Sequence, residues 1–150
     1  MSTTVPFETT LLVRDTCLCL LAQRAARLLA RQFDDVLGKV GLTNQQFSLL
    51  MALNRPEPPP MGPVARLLAM DRTTLTAALK PLERRGLVRI EPSPTDRRSR
   101  LLVLTGAGME TLAAAVPIWQ DLHAEIERRL DHPGADAVRT ALVGLAGNAS

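Results

Sequence analysis

The hydroxyl and basic residues that follow Asp71 have the types and spacing of a hydrogen-bonding helix face. At 100° per residue the apolar positions gather on one face, which must be buried: Leu75, Ala78, Leu79 and Leu82. The opposite face carries Thr73, Thr76, Ala77, Lys80 and Arg84. Small hydroxyl and alanine side chains let a helix approach base edges closely, while lysine and arginine suit phosphate contacts. The pattern therefore predicts a recognition helix for a DNA major groove.

This predicted helix has recognisable ends and one irregularity. Asp71 is expected to be its N-cap, because its carboxylate can accept from the first free backbone N–H groups. Gly86 stands where a helix needs a left-handed C-terminal residue. Pro81 lies inside the helix, where it removes the hydrogen bond to Ala77 and is expected to kink or loosen the last turn. The kink either re-aims the arginines that follow toward the DNA backbone or is structurally neutral, and both outcomes fit the sequence.

Two short β-prone runs, residues 87–90 and 101–104, predict a hairpin directly after this helix. The loop between them contains Pro92 and Pro94, which exclude regular structure there. Its basic tip carries Arg97 and Arg98, and arginine is preferred in a narrow minor groove, where the negative potential is enhanced. Asp96 is expected to brace Arg98 through a fork-like ion pair. Residues 61–68 predict a short helix before Asp71, and together with the second helix and the hairpin this is the layout of a winged helix-turn-helix.

The sequence resembles the MarR family of bacterial transcriptional regulators. The motifs that carry the resemblance are, in chain order, Gly41-Leu42-Thr43, Gln46-Phe47, Asp71 through Thr76, Leu82 through Val88, Asp96-x-Arg98 and Leu104-Thr105-x-x-Gly108. They cover most of the chain, from about Leu11 to about Leu130. The resemblance implies a homodimeric winged-helix protein that binds palindromic operators in double-stranded DNA, usually as a repressor released by a small-molecule effector or by oxidation.

The resemblance also assigns candidate site residues. The positions that match the recognition helix and the wing are Arg72, Thr73, Thr74, Thr76 and Lys80, followed by Asp96 and Arg98. Arg84 and Arg97 are added as DNA contacts, because they extend the same helix face and wing tip. Pro81 departs from the family pattern, where a basic or polar residue is more usual. The family also implies a ligand pocket between the helices that form the dimer and the DNA-reading unit, which is the winged helix-turn-helix. Phe47 and Trp119 either line this pocket or belong to the core.

The charge distribution favours an anionic partner for the middle of the chain. Residues 61–105 hold nine Lys/Arg against four Asp/Glu, a net charge of +5, whereas residues 1–60 carry +1 and residues 106–150 carry −3. A membrane-binding patch would need an amphipathic helix with aromatic anchors, which this segment lacks. At 150 residues and 46% hydrophobic, the chain is predicted to be a single domain (1–150) that contains a winged helix-turn-helix unit at 43–105.

Long helices with apolar stripes are predicted on both sides of that unit. One helix is expected over residues 7–40, with a stripe that begins near Leu18. A second long helix is capped by Thr105 and is expected to be interrupted and bent at Pro117, and Pro133 opens a short last helix that ends near residue 147. The predicted fold is mainly α-helical with a small β-hairpin. Because such stripes would be exposed in a monomer, residues 7–40 and 105–147 are predicted to be dimerisation helices.

The segment between the first long helix and the reading unit has two parts. Thr43 is the expected N-cap of a helix that ends near Leu53. The proline-rich residues 55–60 cannot be helical and are predicted to form a semi-rigid linker into the reading unit.

Cys17 and Cys19 are the reactive side chains of the first predicted helix. On a continuous helix they point about 100° to either side of Leu18, so no bond between them is expected while the helix holds. One interpretation treats both as small apolar residues at the edge of a packed interface. The resemblance offers a redox interpretation, because Cys19 precedes Gly41 by 22 residues, as does the reactive cysteine of the family's organic-hydroperoxide sensors. Those sensors support the thiolate with tyrosine hydroxyls, and this chain has no tyrosine.

Other classes of function have little support in the sequence. An enzyme is not predicted, because there is no glycine-rich phosphate loop, and no metal or cofactor is expected because His123 and His132 lie near no cysteine. No apolar run approaches a membrane span and no targeting signal is recognised, which favours a cytoplasmic location without a membrane partner. A winged helix used for protein–protein contacts is the remaining alternative, and repressor and activator roles both stay open.

Overall fold

The helices and the hairpin occur in the predicted order. The computed structural model describes residues 3–147. Its elements are α1 (Phe7–Thr16), α2 (Leu18–Leu37), α3 (Asn44–Leu53), α4 (Met61–Leu67), α5 (Arg72–Arg84), β1 (Val88–Pro92), β2 (Arg100–Leu104), α6 (Gly106–Arg129) and α7 (Ala135–Ala146). A single 3-10 turn, Gly38–Val40, follows α2. The fold is mainly helical with one antiparallel hairpin, which confirms the predicted class.

The prediction of one helix over residues 7–40 was wrong at Cys17. The backbone there is extended, with φ −71° and ψ 109°, and it divides the segment into α1 and α2. Thr16, the last residue of α1, donates its hydroxyl to the Leu12 carbonyl at 2.6 Å. No residue of α1 is buried, so core packing does not hold the segment in one helix.

The core is centred on α3 and α5. Leu49, Leu50 and Leu53 of α3 are no more than 2% exposed, and they share one cluster with the buried leucines of α5. Leu102 of β2, Leu37 of α2 and Leu112 of α6 close the cluster from the other elements. Each buried leucine contributes roughly 1.5–3 kcal/mol relative to an exposed one, so this cluster fixes how α5 is rotated.

The proline-rich linker is non-helical, as predicted, but it also joins the hairpin. Pro60 pairs with Leu101 as an isolated antiparallel bridge, and the Leu102 N–H donates to the Pro59 carbonyl at 2.9 Å. The two strands pair from Val88↔Leu104 to Pro92↔Arg100. Pro92 is therefore the last residue of β1 rather than a loop residue, a strand-end position where its missing N–H is tolerated.

The C-terminal helices differ from the prediction at their proline residues. Helix α6 continues across Pro117 without a break. Helix α7 begins at Ala135, because Gly134 has a φ of 87°, which is outside the helical region, and Pro133 precedes it. Across the described residues 3–147, no helix is both long enough and apolar enough to cross a membrane.

Candidate nucleic-acid interface

Helix α5 is positioned by its cap and by its buried face. The Thr74 N–H donates to the Asp71 carboxylate at 2.7 Å, which confirms the predicted N-cap and holds the pKa of Asp71 below its usual value. Gly86 has a φ of 72° two residues after α5 ends, as predicted. Leu75, Leu79 and Leu82 are fully buried, so the opposite side of the helix is turned outward.

The outward face of α5 holds every recognition-helix residue predicted from the sequence. The exposed side chains of α5 are Arg72, Thr73, Thr74, Thr76, Ala77, Lys80, Glu83 and Arg84. Of these, Arg72, Thr73, Thr76, Ala77 and Lys80 line one shallow surface. The Thr76 hydroxyl donates to the Arg72 carbonyl at 2.8 Å, so its oxygen keeps only an acceptor role toward a ligand and its methyl group remains available.

Pro81 does not interrupt this face. Helix α5 continues past it to Arg84, and the Arg85 N–H donates to the Pro81 carbonyl at 3.1 Å. Pro81 is half-buried, with its ring beside the groove described next.

A groove that the sequence analysis missed lies between the N-terminus of α3 and α5. Its α5 wall consists of Thr73, Thr74, Ala77, Ala78 and Pro81, and its α3 wall consists of Thr43, Gln45 and Gln46. Thr43 and Gln46 form a capping box, since the Gln46 N–H donates to the Thr43 hydroxyl and the Thr43 N–H donates to the Gln46 side chain, both at 3.1 Å. The Thr-x-x-Gln spacing predicts a capping box at the start of α3, but no local feature of the sequence shows that this helix start faces α5.

The wing loop is ordered by its own hydrogen bonds. The Ser93 N–H donates to the Ser99 carbonyl at 3.0 Å, and the Ser99 N–H donates to the Asp96 carbonyl at 3.1 Å. The expected ion pair between Asp96 and Arg98 is absent within residues 3–147. The Asp96 carboxylate instead accepts the backbone N–H of Arg98 at 3.0 Å. Because the side chain of Asp96 is short, its carboxylate reaches the backbone N–H two residues along the chain more easily than the guanidinium of a long arginine side chain. The side chains of Arg97 and Arg98 are therefore left exposed to solvent.

The two cysteines lie at the joint between α1 and α2. Cys17 is half-buried and caps α2, because the Leu20 N–H lies 3.5 Å from its Sγ. Cys19 is exposed in the first turn of α2, where the Gln23 amide donates to its Sγ at 3.1 Å. Arg27 in turn donates to Gln23 Oε1 at 3.2 Å.

A cavity of about 320 Å³ lies between α2, α6 and α7, and it is lined mainly by apolar side chains. Trp119 contributes to its wall, together with His123, Glu127 and Arg139. The indole stacks on His123 at a centroid distance of 4.6 Å and on Phe47 at 6.2 Å. Phe47 is only 8% exposed and lies behind Trp119, so it belongs to the core rather than to the cavity wall.

The metal-ligating side chains of the described residues do not gather at one place. Within residues 3–147 no three His, Cys, Asp or Glu side chains come together as a metal site. His123 instead lies 3.2 Å from Glu127, and Glu127 also pairs with Arg139. The exposed α5 face and the wing both turn polar and basic side chains outward.

A helix-turn-helix with an outward polar helix face and a basic hairpin beside it defines a winged-helix DNA-binding protein. The model of the MarR family matches residues 40–99. The organic hydroperoxide resistance transcriptional regulator of Bacillus subtilis (strain 168) is 32% identical over 102 residues, which cover 67% of this chain and 69% of that protein. This chain belongs to the MarR family of transcriptional regulators.

The relatives differ in how much of their length is matched. The chain spans between 41% and 74% of the curated relatives, whose names include a transcriptional activatory protein and a transcriptional repressor. Coverage is greater among solved structures. The Mycobacterium tuberculosis regulator MosR in complex with DNA has a TM-score of 0.80 at 34% identity, over 87% of this chain and 94% of that one. The repressor CouR bound to p-coumaroyl-CoA has a TM-score of 0.77 at 29% identity, over 87% and 92%. Membership of a regulator family supports DNA binding rather than an enzymatic activity.

Proposed function

We propose that this protein is a homodimeric, cytoplasmic DNA-binding regulator that represses transcription and is released from a palindromic operator by a small ligand. The outward face of α5 is the observation that carries the proposal. Thr73, Thr76 and Lys80 lie on one exposed surface, while the opposite side of α5 is locked into the core. Hydroxyl groups and lysine on such a face suit base edges and phosphates respectively. The DNA-bound MosR structure supports the same use of the fold.

The proposed division of labour places DNA reading in residues 43–105 and dimerisation in the flanking helices. Large apolar side chains are exposed on α1 and α7: Phe7 is 68% exposed, Leu12 61% and Leu145 60%. Leu18 at the start of α2 is 65% exposed. Apolar groups concentrated on terminal helices are best buried by a second copy of the chain. A twofold dimer would present two α5 helices to half-sites about one helical turn apart, roughly 10 bp.

The cavity beside Trp119 is the proposed effector site. Its apolar wall and its rim of His123, Glu127 and Arg139 suit an apolar ligand that carries at least one polar group. Trp119 also stacks on Phe47 of α3, so a ligand that shifts the indole would act directly on the reading unit. The CouR structure with p-coumaroyl-CoA supports ligand control within this fold. Trp119 is the only tryptophan in the chain, so its fluorescence reports occupancy of the cavity.

The proposal is tested by selecting duplexes that the purified protein retains from a random library, followed by sedimentation of the free protein. An enriched palindrome and a dimer at micromolar concentration are expected. A reporter gene placed behind the selected duplex should be less active when the protein is present. A monomer, or a retained pool with no shared sequence, would contradict the proposal. A pool with no shared sequence and salt-insensitive binding would instead favour a winged helix that contacts proteins.

A thiol-sensing regulator is the second candidate function. It is favoured by the position of Cys19, which is exposed at the start of α2 and accepts a hydrogen bond from Gln23. The Gln23 amide donates to the Cys19 sulfur and Arg27 donates to Gln23, so this chain supplies donors near the thiol although it has no tyrosine. The name of the Bacillus subtilis relative supports the same candidate. An organic hydroperoxide should then release the parent from the selected duplex and leave Cys19→Ser bound. Equal release of both would contradict this candidate.

A further inference from the structure

The middle of the outward face of α5 is apolar, whereas charged side chains lie on either side of it. Ala77 is exposed and lies between Arg72, the first residue of the helix, and Lys80. Ala77 and Thr73 line both the shallow surface on α5 and the groove between α5 and the N-terminus of α3. At the point that the two depressions share, Ala77 therefore presents a methyl group and no hydrogen-bonding group.

The side chains beside Ala77 add further methyl groups. Thr76 donates its hydroxyl proton to the Arg72 carbonyl at 2.8 Å, so its acceptor oxygen and its methyl group are left for a ligand. Thr73 lies one turn before Ala77 on the same face and also carries a methyl group. Because the buried leucines of α5 fix its rotation, these three side chains form a methyl patch on the outward side.

DNA presents one kind of apolar group on the base edges of its major groove. That group is the C5-methyl of thymine, whereas the other positions that distinguish the bases there are hydrogen-bond donors and acceptors. Small side chains let a helix come close enough for methyl groups to touch, and the contact removes apolar surface from water. A polar base edge in the same place would lose its water without gaining a hydrogen bond from alanine. The chemistry of the methyl patch therefore fits thymine.

We propose that Ala77, with the methyl groups of Thr73 and Thr76, contacts the C5-methyl group of a thymine in each half-site of the operator. The inference rests on the proposed DNA-binding function and names the base that this part of α5 recognises. Ala77 is then a specificity-determining residue, although it carries neither charge nor hydrogen-bonding side chain. Lys80 binds a phosphate beside it and adds affinity without a preference for one base.

Replacing thymidine with deoxyuridine tests the contact, because it removes only the C5-methyl group and keeps the pairing with adenine. Each thymine of the selected duplex is replaced in turn, at the symmetric positions of the two half-sites. At one position the parent should bind about fourfold more weakly for each half-site changed, and about fifteenfold more weakly with both, as expected for one methyl group per half-site. If no thymine responds, or the half-sites contain no thymine, the proposal is overturned.

The residue is assigned by repeating the comparison with Ala77→Gly. This variant should bind the thymine and deoxyuridine duplexes equally, because the protein methyl group is gone. Glycine weakens a helix, but partial unfolding lowers the affinity for both duplexes by the same factor and leaves their ratio unchanged. Ala78→Gly is the matched control, since it has the same helix cost and Ala78 is half-buried outside the methyl patch. A full deoxyuridine penalty in Ala77→Gly, or its loss in Ala78→Gly, would overturn the assignment.

Thr76 distinguishes contact through a methyl group from contact through a hydroxyl group. Thr76→Val keeps the methyl group and removes the hydroxyl, whereas Thr76→Ser does the reverse. The deoxyuridine penalty should be larger in Thr76→Val than in Thr76→Ser. An equal penalty, or a larger one in Thr76→Ser, would overturn the proposed methyl patch. If the library yields no retained duplex, the DNA-binding function itself fails and this inference with it. If a duplex is retained but binds equally with deoxyuridine, only this inference fails.

Discussion

The Arg85 guanidinium donates to the Gly41 carbonyl at 2.8 Å, across 44 residues of sequence. Arg85 is the C-cap of α5, and Gly41 ends the 3-10 turn that follows α2, with a φ of 73°. A Cβ added at Gly41 would come within 3.0 Å of Arg85 Nη2, so the glycine allows this approach. The bond ties the end of the proposed recognition helix to the end of the long N-terminal helix.

Arg85→Ala should therefore lower the free energy of unfolding by about 0.5–1.5 kcal/mol, because one hydrogen bond between distant segments is lost. Arg84→Ala is the matched control, since Arg84 makes no such bond and points outward from α5. Urea denaturation of the two variants measures the difference. If both unfold with the same midpoint as the parent, the Arg85–Gly41 contact does not stabilise the fold.

Gly108 should not tolerate a side chain. An added Cβ would overlap the Leu87 carbonyl oxygen and press on Leu104, so helix α6 could no longer pack against the start of the hairpin. Gly108→Ala is expected to lower the free energy of unfolding by about 1–3 kcal/mol.

The control for that experiment is Gly106→Ala in the first turn of the same helix. A Cβ at Gly106 meets nothing within 4 Å, so stability should stay the same or rise by less than about 1 kcal/mol. Equal thermal midpoints for the Gly108 and Gly106 variants would show that the packing of α6 on the hairpin is looser than described.

The contact of Asp34 with Asn44, which links α2 to α3, should make the free energy of unfolding depend on pH. Its carboxylate accepts the Asn44 backbone N–H at 2.7 Å and the Asn44 side-chain amide at 2.8 Å, and these bonds lower the pKa of Asp34. A lowered folded-state pKa means that this stabilisation is complete above the unfolded value, about 3.9, and is lost as the pH falls through the lower folded value.

The stability difference between the parent and Asp34→Asn should therefore be largest near neutral pH and shrink on acidification below about pH 4. Urea midpoints measured between neutral pH and pH 3 give this difference. Asp35→Asn changes the exposed neighbour and should follow the parent across the range. A constant difference between the parent and Asp34→Asn at all pH values would exclude the proposed role of the ionised carboxylate.

Arg98→Ala should weaken binding to the selected operator by about 1–3 kcal/mol and reduce discrimination at the base pairs beside the wing. The physical reason is that the Arg98 side chain is exposed while its backbone N–H is fixed by Asp96. Fluorescence anisotropy with the selected duplex measures the loss. An unchanged affinity would remove Arg98 from the set of DNA contacts.

Periodicity and capping chemistry were enough to predict α5, because the buried leucines, the Asp71 cap and Gly86 are all local signals. The break at Cys17 was not predictable in the same way. The apolar stripe continues past it, and the neighbouring residues include no proline or glycine that would mark a helix end. Because no residue of α1 is buried, core packing does not hold α1 in line with α2. The predicted ion pair between Asp96 and Arg98 was also wrong. The spacing of the two residues does not show whether the Asp96 carboxylate accepts from the Arg98 guanidinium or from its backbone N–H. The groove between the N-terminus of α3 and α5 depends on two helices separated in sequence, which only the folded structure brings together.

The most direct test of DNA recognition by α5 uses the two lysines of the chain, Lys80 on α5 and Lys39 on the 3-10 turn. Binding of Lys80→Ala and Lys39→Ala to the selected duplex and to a scrambled one is measured across a range of salt concentrations. Lys80→Ala should weaken both duplexes similarly and reduce the slope of log K against log salt by about one unit, because one phosphate contact is lost. Lys39→Ala should match the parent. An unchanged salt slope and affinity in Lys80→Ala would contradict the placement of α5 against DNA.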